Sequence, residues 1–206
     1  MNPIDRLAQY FSKFPGIGER QSKRFVHFLL TRDTGYLDEL SRLVANLKKE
    51  IAQCSECFRF FQVGHLQRTK CDVCLSTEYD PTILMVLEKD IDYESIRRSG
   101  VYKGKFFILG GLIPLVEKGL EKRVRINELL EIVKEKTKND VLKEIILAFS
   151  LNPQGDHTDM HIRSILVPLS ESAHFKVSSL GRGLSTGTEL EYSDNETLKN
   201  ALKNRG

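Results

Sequence analysis

Four cysteines are the residues of this chain whose types and spacing point most directly to chemistry. They form two pairs, Cys54-x-x-Cys57 and Cys71-x-x-Cys74, with thirteen residues between the pairs and no other cysteine in the 206-residue sequence. Tetrahedral zinc takes four thiolates at about 2.3 Å, and a C-x-x-C turn can present two of them to one metal ion. The spacing therefore predicts a structural zinc site. The alternatives are two disulfides or four unrelated thiols, and the start of the chain, Met1–Asp5, lacks the secretory pattern that would favour disulfides.

Three histidines are further candidate metal ligands. His65 lies between the cysteine pairs and could replace a thiolate, but four cysteines already complete a tetrahedral site, so we predict a loop residue. His157 and His161 are four residues apart and would share a helix face that could suit a transition metal. We expect them to be surface or packing histidines.

Composition sets broad limits on the function. Hydrophobic residues make up 40% of the chain and charged residues 29%, as in ordinary globular proteins. The longest apolar stretch, 106–116, is interrupted by Gly110, Gly111 and Pro114 and is shorter than the roughly 18 to 20 residues that span a bilayer. We expect a cytoplasmic protein without a membrane segment. The net charge of +3 is too small to indicate nucleic-acid binding by itself.

The first thirty residues have the pattern of two short helices joined by a glycine-containing turn. Apolar residues at helical spacing predict a first helix over 4–13, and Phe25, Phe28 and Leu29 share one face of a second. The segment between them reads Phe-Pro-Gly-Ile-Gly over residues 14–18. This combination resembles a helix-hairpin-helix DNA-binding motif.

The chemistry of this turn would be phosphate binding without base readout. Gly16 and Gly18 permit unusual backbone angles, so N–H groups of the turn and of the second helix start are free to face an anion. Arg20 and Arg24 follow one helical turn apart, and Lys23 adds to the basic helix start. The alternative is a plain αα-corner with a solvated basic face.

From residue 83 onward, apolar runs alternate with helical patterns. The predicted strands are 83–87, 106–109, 145–149 and one beginning at 175. One helix is predicted after the first strand, ending at about residue 99, and two more are predicted at 126–136 and 161–169. This alternation predicts an α/β fold, a mostly parallel sheet with helices on both faces. Glu88 closes the first strand and Asp156 lies in the loop after the third. At neighbouring strand tips the two carboxylates would hold Mg²⁺, or they are a polar strand end and a helix cap.

The order of these parts resembles the RecR family of recombination mediators over essentially the whole chain. The resemblance is densest at 14–18, 98–104, 109–111, 182–184, 187–192 and Asp194. It implies four parts: a helix-hairpin-helix domain (1–52), a four-cysteine zinc finger (53–78), a Toprim domain like that of topoisomerases and primases (79–172) and a C-terminal oligomerisation segment (173–206).

The resemblance also implies a role and a set of site residues. RecR proteins are not enzymes; they act with RecO, and in many lineages RecF, to help RecA replace single-strand-binding protein at gaps in damaged DNA. The four cysteines match the zinc ligands of the family, Arg20 and Arg24 its DNA-contacting positions, and Glu88 its first Toprim acid. A homo-oligomer, dimer or tetramer, would form a ring or clamp.

The second Toprim motif departs from the family pattern. The family has Asn-Pro-x-x-Glu-Gly-acid-x-Thr, whereas residues 152–158 here read Asn-Pro-Gln-Gly-Asp-His-Thr, two residues shorter, with Gln154 in place of the acid. A neutral glutamine and a shorter loop both weaken a site for a hard cation, so we expect weak or absent Mg²⁺ binding. The zinc spacer is also longer than in the family.

Two other functions compete with the mediator role. A Toprim nuclease or primase would need a cluster of acids around Mg²⁺, and this chain offers only Glu88 and Asp156. A zinc-ribbon RNA-binding protein would need exposed aromatic side chains for base stacking. Phe58, Phe60 and Phe61 follow the first cysteine pair, although we expect them to pack beneath the zinc loop.

Overall fold

The computed structural model describes residues 2–64, 68–115, 124–139, 141–181, 187, 191, 193 and 195–203. His65 and most of the C-terminal resemblance, including 182–184 and Asp194, lie outside these residues. The chain divides into two compact units, Met1–Ile51 and Ala52–Gly206. None of the described helices is both long enough and apolar enough to cross a membrane.

The first unit is helical. Its elements are α1 (Pro3–Phe11), α2 (Glu19–Leu30) and α3 (Thr34–Glu50). Asn2 and Asp33 start α1 and α3, because each side-chain oxygen accepts a backbone N–H two or three residues later, at 3.0 Å in both cases. The two predicted helices are confirmed, with α1 ending two residues earlier than expected; α3 was not predicted.

The second unit is built on a parallel sheet with the strand order β4-β3-β5-β6. In chain order, starting at the boundary, its elements are β1 (Ile51–Gln53), β2 (Phe60–Gln62), α4 (Asp72–Leu75), β3 (Asp80–Leu87), α5 (Asp90–Ser99), β4 (Gly104–Ile108), α6 (Ile126–Lys138), β5 (Glu144–Ala148), α7 (Pro153–Ala173), β6 (Lys176–Ser179) and α8 (Asn195–Lys203). The predicted α/β fold is confirmed. The short strands β1 and β2 pair with each other.

Successive side chains along each strand pack alternately into two hydrophobic cores, one on each face of the sheet. Phe107 and Leu147 belong to the core that includes α6 and α7. Phe106 and Ile108, their neighbours along β4, belong to the other core, which holds three of the four cysteines and Tyr93 of α5. The two cysteine pairs with their neighbouring residues (the cysteine module) therefore cover this face of the sheet together with α5.

Candidate metal centre and nucleic-acid interface

The structure brings the four cysteines together. Cys54, Cys57 and Cys71 are buried and Cys74 is partly buried, and their sulfur atoms all lie within 4.8 Å of one another. Among the described residues, this is the one group of three or more metal-binding side chains whose ligand atoms lie close enough together to share an ion. The disulfide alternative is wrong for these positions, because the cysteines are free and the pairs Cys54–Cys74 and Cys57–Cys71 are 3.8 and 3.5 Å apart rather than about 2.05 Å.

This geometry fits a tetrahedral metal ion. Four sulfurs at about 2.3 Å from a zinc ion would be roughly 3.8 Å from each other, close to the two separations above. The Cys71 amide donates to the Cys54 sulfur at 3.4 Å, and hydrogen bonds from the other three thiols lower the pKa of the Cys54 thiol. The site can therefore hold a divalent ion that prefers thiolates, and zinc is the ion such a set favours.

A buried lysine ties the second cysteine pair to the sheet. Lys105, in β4, is 7% exposed, and its ammonium donates to the carbonyl oxygens of Val73 at 2.8 Å, Cys74 at 3.2 Å and Ser76 at 2.8 Å. These carbonyls end the single turn of α4, where no further helical N–H can reach them. Lys105 therefore caps the turn that carries Cys74.

The first cysteine pair covers the edge of the sheet. β4 is an outer strand, yet all five of its residues are buried. The Ile108 amide donates to the Cys57 carbonyl at 2.8 Å. The turn that carries the first cysteine pair thus provides an acceptor for an N–H group that would otherwise be unpaired in an outer strand.

The aromatic residues after Cys57 divide between packing and exposure. Phe58 has a φ of 60° and packs edge-on against Phe107, with ring centroids 5.4 Å apart, while Phe61 is 6% exposed. The expectation of packing is confirmed for these two. Phe60, by contrast, is 56% exposed, so the expectation of packing is wrong for this residue.

The helical hairpin presents its basic side chains to solvent. Phe11 sits at the centre of the turn, 5.8 Å from Phe14 and 5.7 Å from Phe25 between ring centroids. Gly16 has a φ of 74°, the left-handed region that glycine adopts without a steric cost. Gly18 starts α2 without a side-chain cap, so the first N–H groups of α2 remain available to an anion.

The three predicted DNA-binding cations differ in their surroundings. Arg20, Lys23 and Arg24 are exposed on α2. Lys23 pairs with Glu19 at 3.4 Å, and Arg24 donates to the Gln21 side chain at 3.4 Å. The pairing with Glu19 makes Lys23 a weaker candidate than the two arginines.

At the carboxyl end of the sheet, Glu88 is held by two partners. Its side chain is 11% exposed; Oε2 accepts the Ser150 hydroxyl at 2.7 Å and Oε1 pairs with Lys89 Nζ at 2.9 Å. The hydrogen bond to Glu88 raises the pKa of Lys89. Both carboxylate oxygens are thus engaged within the chain, as the reading of Glu88 as a polar strand end predicts.

The expected position of Asp156 is wrong. Asp156 lies in the first turn of α7 rather than in a loop, because the helix begins at Pro153, and Asn152 is the cap, accepting the Gly155 amide at 2.8 Å. A Cβ on Gly155 would lie 1.9 Å from the Ser150 carbonyl, so glycine is required for this turn to pack on the strand end. Gln154 donates to the Leu112 carbonyl at 3.4 Å and thereby anchors a loop.

Sequence reasoning missed a second carboxylate beside Glu88. Asp92 accepts the Lys89 amide at 3.1 Å, and burial, with the nearby charge of Glu88, raises the pKa of Asp92. The sequence feature that could have identified Asp92 is its position one helical turn after Glu88, the acid at the end of β3. His157 and His161 are both exposed, as expected.

Comparison with known proteins places the chain in a family. A model of the Toprim domain matches residues 82–180, and a model of the RecR C-terminal region matches 183–205. Proteins named Recombination protein RecR are 32% identical in Prochlorococcus marinus subsp. pastoris, 31% in Lactobacillus acidophilus and 33% in Roseiflexus castenholzii. These matches cover 98% of this chain and 95%, 96% and 93% of the relatives. Because the similarity extends over nearly the whole length, and because the parallel sheet and the cysteine cluster occur as the motifs predicted, the chain belongs to the RecR family of recombination proteins.

Proposed function

We propose that this chain is a DNA-binding mediator of recombinational repair in the cytoplasm. It would act with RecO, and with RecF as a second partner, to help RecA replace single-strand-binding protein at gaps. The observation that carries the proposal is the exposed basic start of α2 behind an uncapped glycine turn, in a chain of the RecR family. The proposal includes the division of the chain into four parts, with boundaries after residues 52, 78 and 172.

The cofactor of this proposal is one structural zinc ion held by Cys54, Cys57, Cys71 and Cys74. The support is the sulfur geometry, with all four ligand atoms within 4.8 Å. When bound, the ion would cross-link the two cysteine turns and so stabilise the cover of the sheet edge. It would have no part in a reaction.

DNA binding should be electrostatic and independent of sequence. Replacing Arg20 and Arg24 with glutamate removes two phosphate contacts beside the turn. We expect binding to weaken by about tenfold or more for all DNA sequences alike, with the log–log salt dependence flattened by roughly two units. Titration of labelled gapped DNA at several salt concentrations measures both quantities.

A matched control separates this site from net charge. Lys48 and Lys49 are exposed on α3 of the same unit, and their replacement with glutamate changes the net charge equally. We expect this control to bind nearly as well as the parent protein. Equal losses in both double variants would show that Arg20 and Arg24 do not form a distinct phosphate site at the turn.

The exposed Phe60 favours testing the RNA-binding alternative in the same assay. An aromatic ring that is 56% exposed beside the cysteine module could stack on an unpaired base. Under the mediator proposal, structured RNA competes poorly with gapped DNA, and Phe60→Ala leaves DNA affinity nearly unchanged. Preferential RNA binding that is lost in Phe60→Ala would favour the alternative.

The acidic strand end would bind a partner rather than a metal ion. Both oxygens of Glu88 already have partners, and Gln154 supplies a neutral group where the family has an acid. Mg²⁺ keeps its water shell unless anionic oxygens replace it in octahedral geometry. Glu88 and Asp156 would then contact basic residues of RecO.

The test compares two replacements of Glu88. We expect Glu88→Ala to weaken RecO binding about tenfold while zinc content and DNA affinity stay nearly intact. Glu88→Gln keeps an acceptor for Ser150 but removes the charge, and so should be equally weak. If only the alanine variant is impaired, the defect is local packing; tight Mg²⁺ binding in calorimetry, abolished by Glu88→Ala, would contradict the whole assignment.

Assembly into a dimer or tetramer completes the proposal. The predicted contact region Gly181–Tyr192 lies mostly outside the described residues. A second surface supports assembly: no residue of α3 is buried, and Leu43, Val44 and Leu47 are 56%, 66% and 60% exposed. An apolar stripe of this kind is typical of an interface.

Light scattering at micromolar concentration measures the assembly. We expect a dimer or tetramer for the parent chain and a smaller species after deletion of residues 181–192. Val44→Glu should likewise reduce the assembled mass if the α3 stripe takes part. A strictly monomeric parent protein that still supports RecA loading would contradict the proposal.

A further inference from the structure

Each cysteine pair carries one acidic residue between its cysteines. Glu56 lies inside the first pair, directly before Cys57, and Asp72 lies inside the second, directly after Cys71. Neither carboxylate belongs to the four-sulfur cluster. A carboxylate beside a centre of four thiolates adds like charge, so its own partners indicate why it is there.

Glu56 links the two cysteine pairs and also reaches a helix. One of its carboxylate oxygens is 2.9 Å from the ammonium of Lys70, the residue before the second cysteine pair. The other oxygen is 3.7 Å from the ammonium of Lys136 in α6. The side chains of Glu56 and Lys136 are only 24% and 17% exposed, so each would be a poorly solvated charge without the other.

These ion pairs face a cavity of about 290 Å³ between the first cysteine pair and the end of α6. Its lining includes the three charged side chains and two apolar ones, Ile132 and Val141. Because packing leaves this space open, the pairs of Glu56 provide a direct contact across it.

Asp72 has the same arrangement toward α5. Its carboxylate forms ion pairs with Arg59, two residues after the first cysteine pair, and with Arg97 of α5 at 3.2 Å. The Arg59 side chain is 6% exposed and lies over the Tyr93 ring of α5, 4.7 Å from the centroid. A buried guanidinium without an anionic partner is costly, so the burial of Arg59 depends on Asp72.

The two acids therefore repeat one pattern. Each comes from one cysteine pair, binds a cation next to the other pair, and binds a second cation on a helix. The helices are α6 and α5, which contribute to the cores on opposite faces of the sheet. The cysteine module is thus held from both faces at the edge formed by β4, through ion pairs that involve no sulfur atom.

We propose that Glu56 and Asp72 are positioning residues of the metal centre. Each carboxylate joins the two cysteine pairs and anchors them to one helix, and together they hold the four sulfurs in ligating geometry. The inference rests on the proposed zinc centre. It assigns retention of the ion in part to residues outside the ligand set.

The experiment measures how fast the zinc-loaded full chain releases its ion to an excess of a chromophoric chelator. We expect Glu56→Gln to release zinc about tenfold faster than the parent. Lys136→Gln, which removes one of the two cations, should speed release about threefold. The double variant should match Glu56→Gln, because the contact is already lost there. Lys136→Arg keeps the cation and should release zinc at the rate of the parent.

The direction of these effects separates pairing from net charge. Removing an acid and removing a base change the potential at the metal centre in opposite senses, so charge alone would speed release in one single variant and slow it in the other. The proposed pairing speeds release in both. Lys134→Gln and Glu135→Gln are the matched controls, because both residues are exposed on α6 and neither forms an ion pair within the described part of the chain. Their release rates should change by less than about twofold.

The second acid is tested in the same assay. Asp72→Asn leaves Arg59 buried without an anion, and we expect release about 10- to 100-fold faster. Arg97 is 45% exposed, so Arg97→Gln should speed release by no more than about threefold. Should Asp72→Asn not fold, Arg97→Gln and the variants of Glu56 and Lys136 decide.

The outcomes separate this inference from the proposed zinc centre. A parent chain that retains no zinc overturns the centre and this inference with it. A parent that retains zinc, with Glu56→Gln and Lys136→Gln unchanged or shifted in opposite directions, overturns the positioning role alone. A double variant whose effect is the product of the two single effects would also overturn it, because the side chains would then act independently. Equal acceleration in Lys134→Gln would do the same, since the charge of α6 would explain it.

Discussion

Cys71→Ser is expected to destabilise the second unit by roughly 5 kcal/mol or more, because structural zinc sites of this kind supply folding free energy directly. For a chain of this size, such a loss lowers the melting temperature by roughly 10 to 20 °C. The effect should reach the sheet as well as the cysteine turns, since Cys71 shares a hydrophobic core with Phe106 and Ile108 of β4. Calorimetry measures the loss of stability and the fall in melting temperature. Metal analysis of the parent should give about one zinc ion per chain.

The control for this prediction is a buried neighbour that is not a ligand. Val73 is 1% exposed in the same turn, so Val73→Ala also loses packing. The difference in stability between Val73→Ala and the parent should be the same with and without a chelator. The chelator itself should reduce the parent to the stability of Cys71→Ser. A metal-free parent with unchanged melting behaviour would contradict the structural role of zinc.

Lys105→Met is expected to cost about 3 to 5 kcal/mol, although it replaces a charged residue with an apolar one of similar length. The ammonium satisfies the carbonyls of Val73, Cys74 and Ser76, and methionine would leave these buried or partly buried acceptors without that donor. Because Cys74 carries one of these carbonyls, zinc retention during chelation should also weaken. Denaturant unfolding and the rate of zinc release measure the two effects.

Lys103→Met provides the comparison two residues away. Lys103 is exposed, and substitutions at such positions usually change stability by no more than about 0.5 kcal/mol. If Lys105→Met unfolds at the same denaturant concentration as Lys103→Met, the three hydrogen bonds make no net contribution and the proposed link between sheet and cysteine turn is wrong.

The amino-acid sequence is enough to place those elements whose signals are local. Apolar runs placed β3, β4 and β5 to within a few residues, because strands buried on both faces admit few polar side chains. The cysteine spacing identified a four-sulfur cluster, since two C-x-x-C turns can serve one metal ion. The start of α7 was also readable: Asn152 followed by Pro153 is a helix-start signal, and placing Asp156 in a loop overlooked it.

Which charged residues are buried, and what they contact, becomes visible only in the folded chain. Lys105 stands at the start of an apolar run and reads as a polar strand end, yet it caps carbonyls that lie 29 to 32 residues earlier in the chain. In the sequence Arg59 is one more basic residue of a loop, whereas in the structure it is buried, forms an ion pair with Asp72 and lies over the Tyr93 ring. This difference arises because burying a charge depends on partners that are distant in sequence, whereas helix and strand patterns depend on neighbours along the chain.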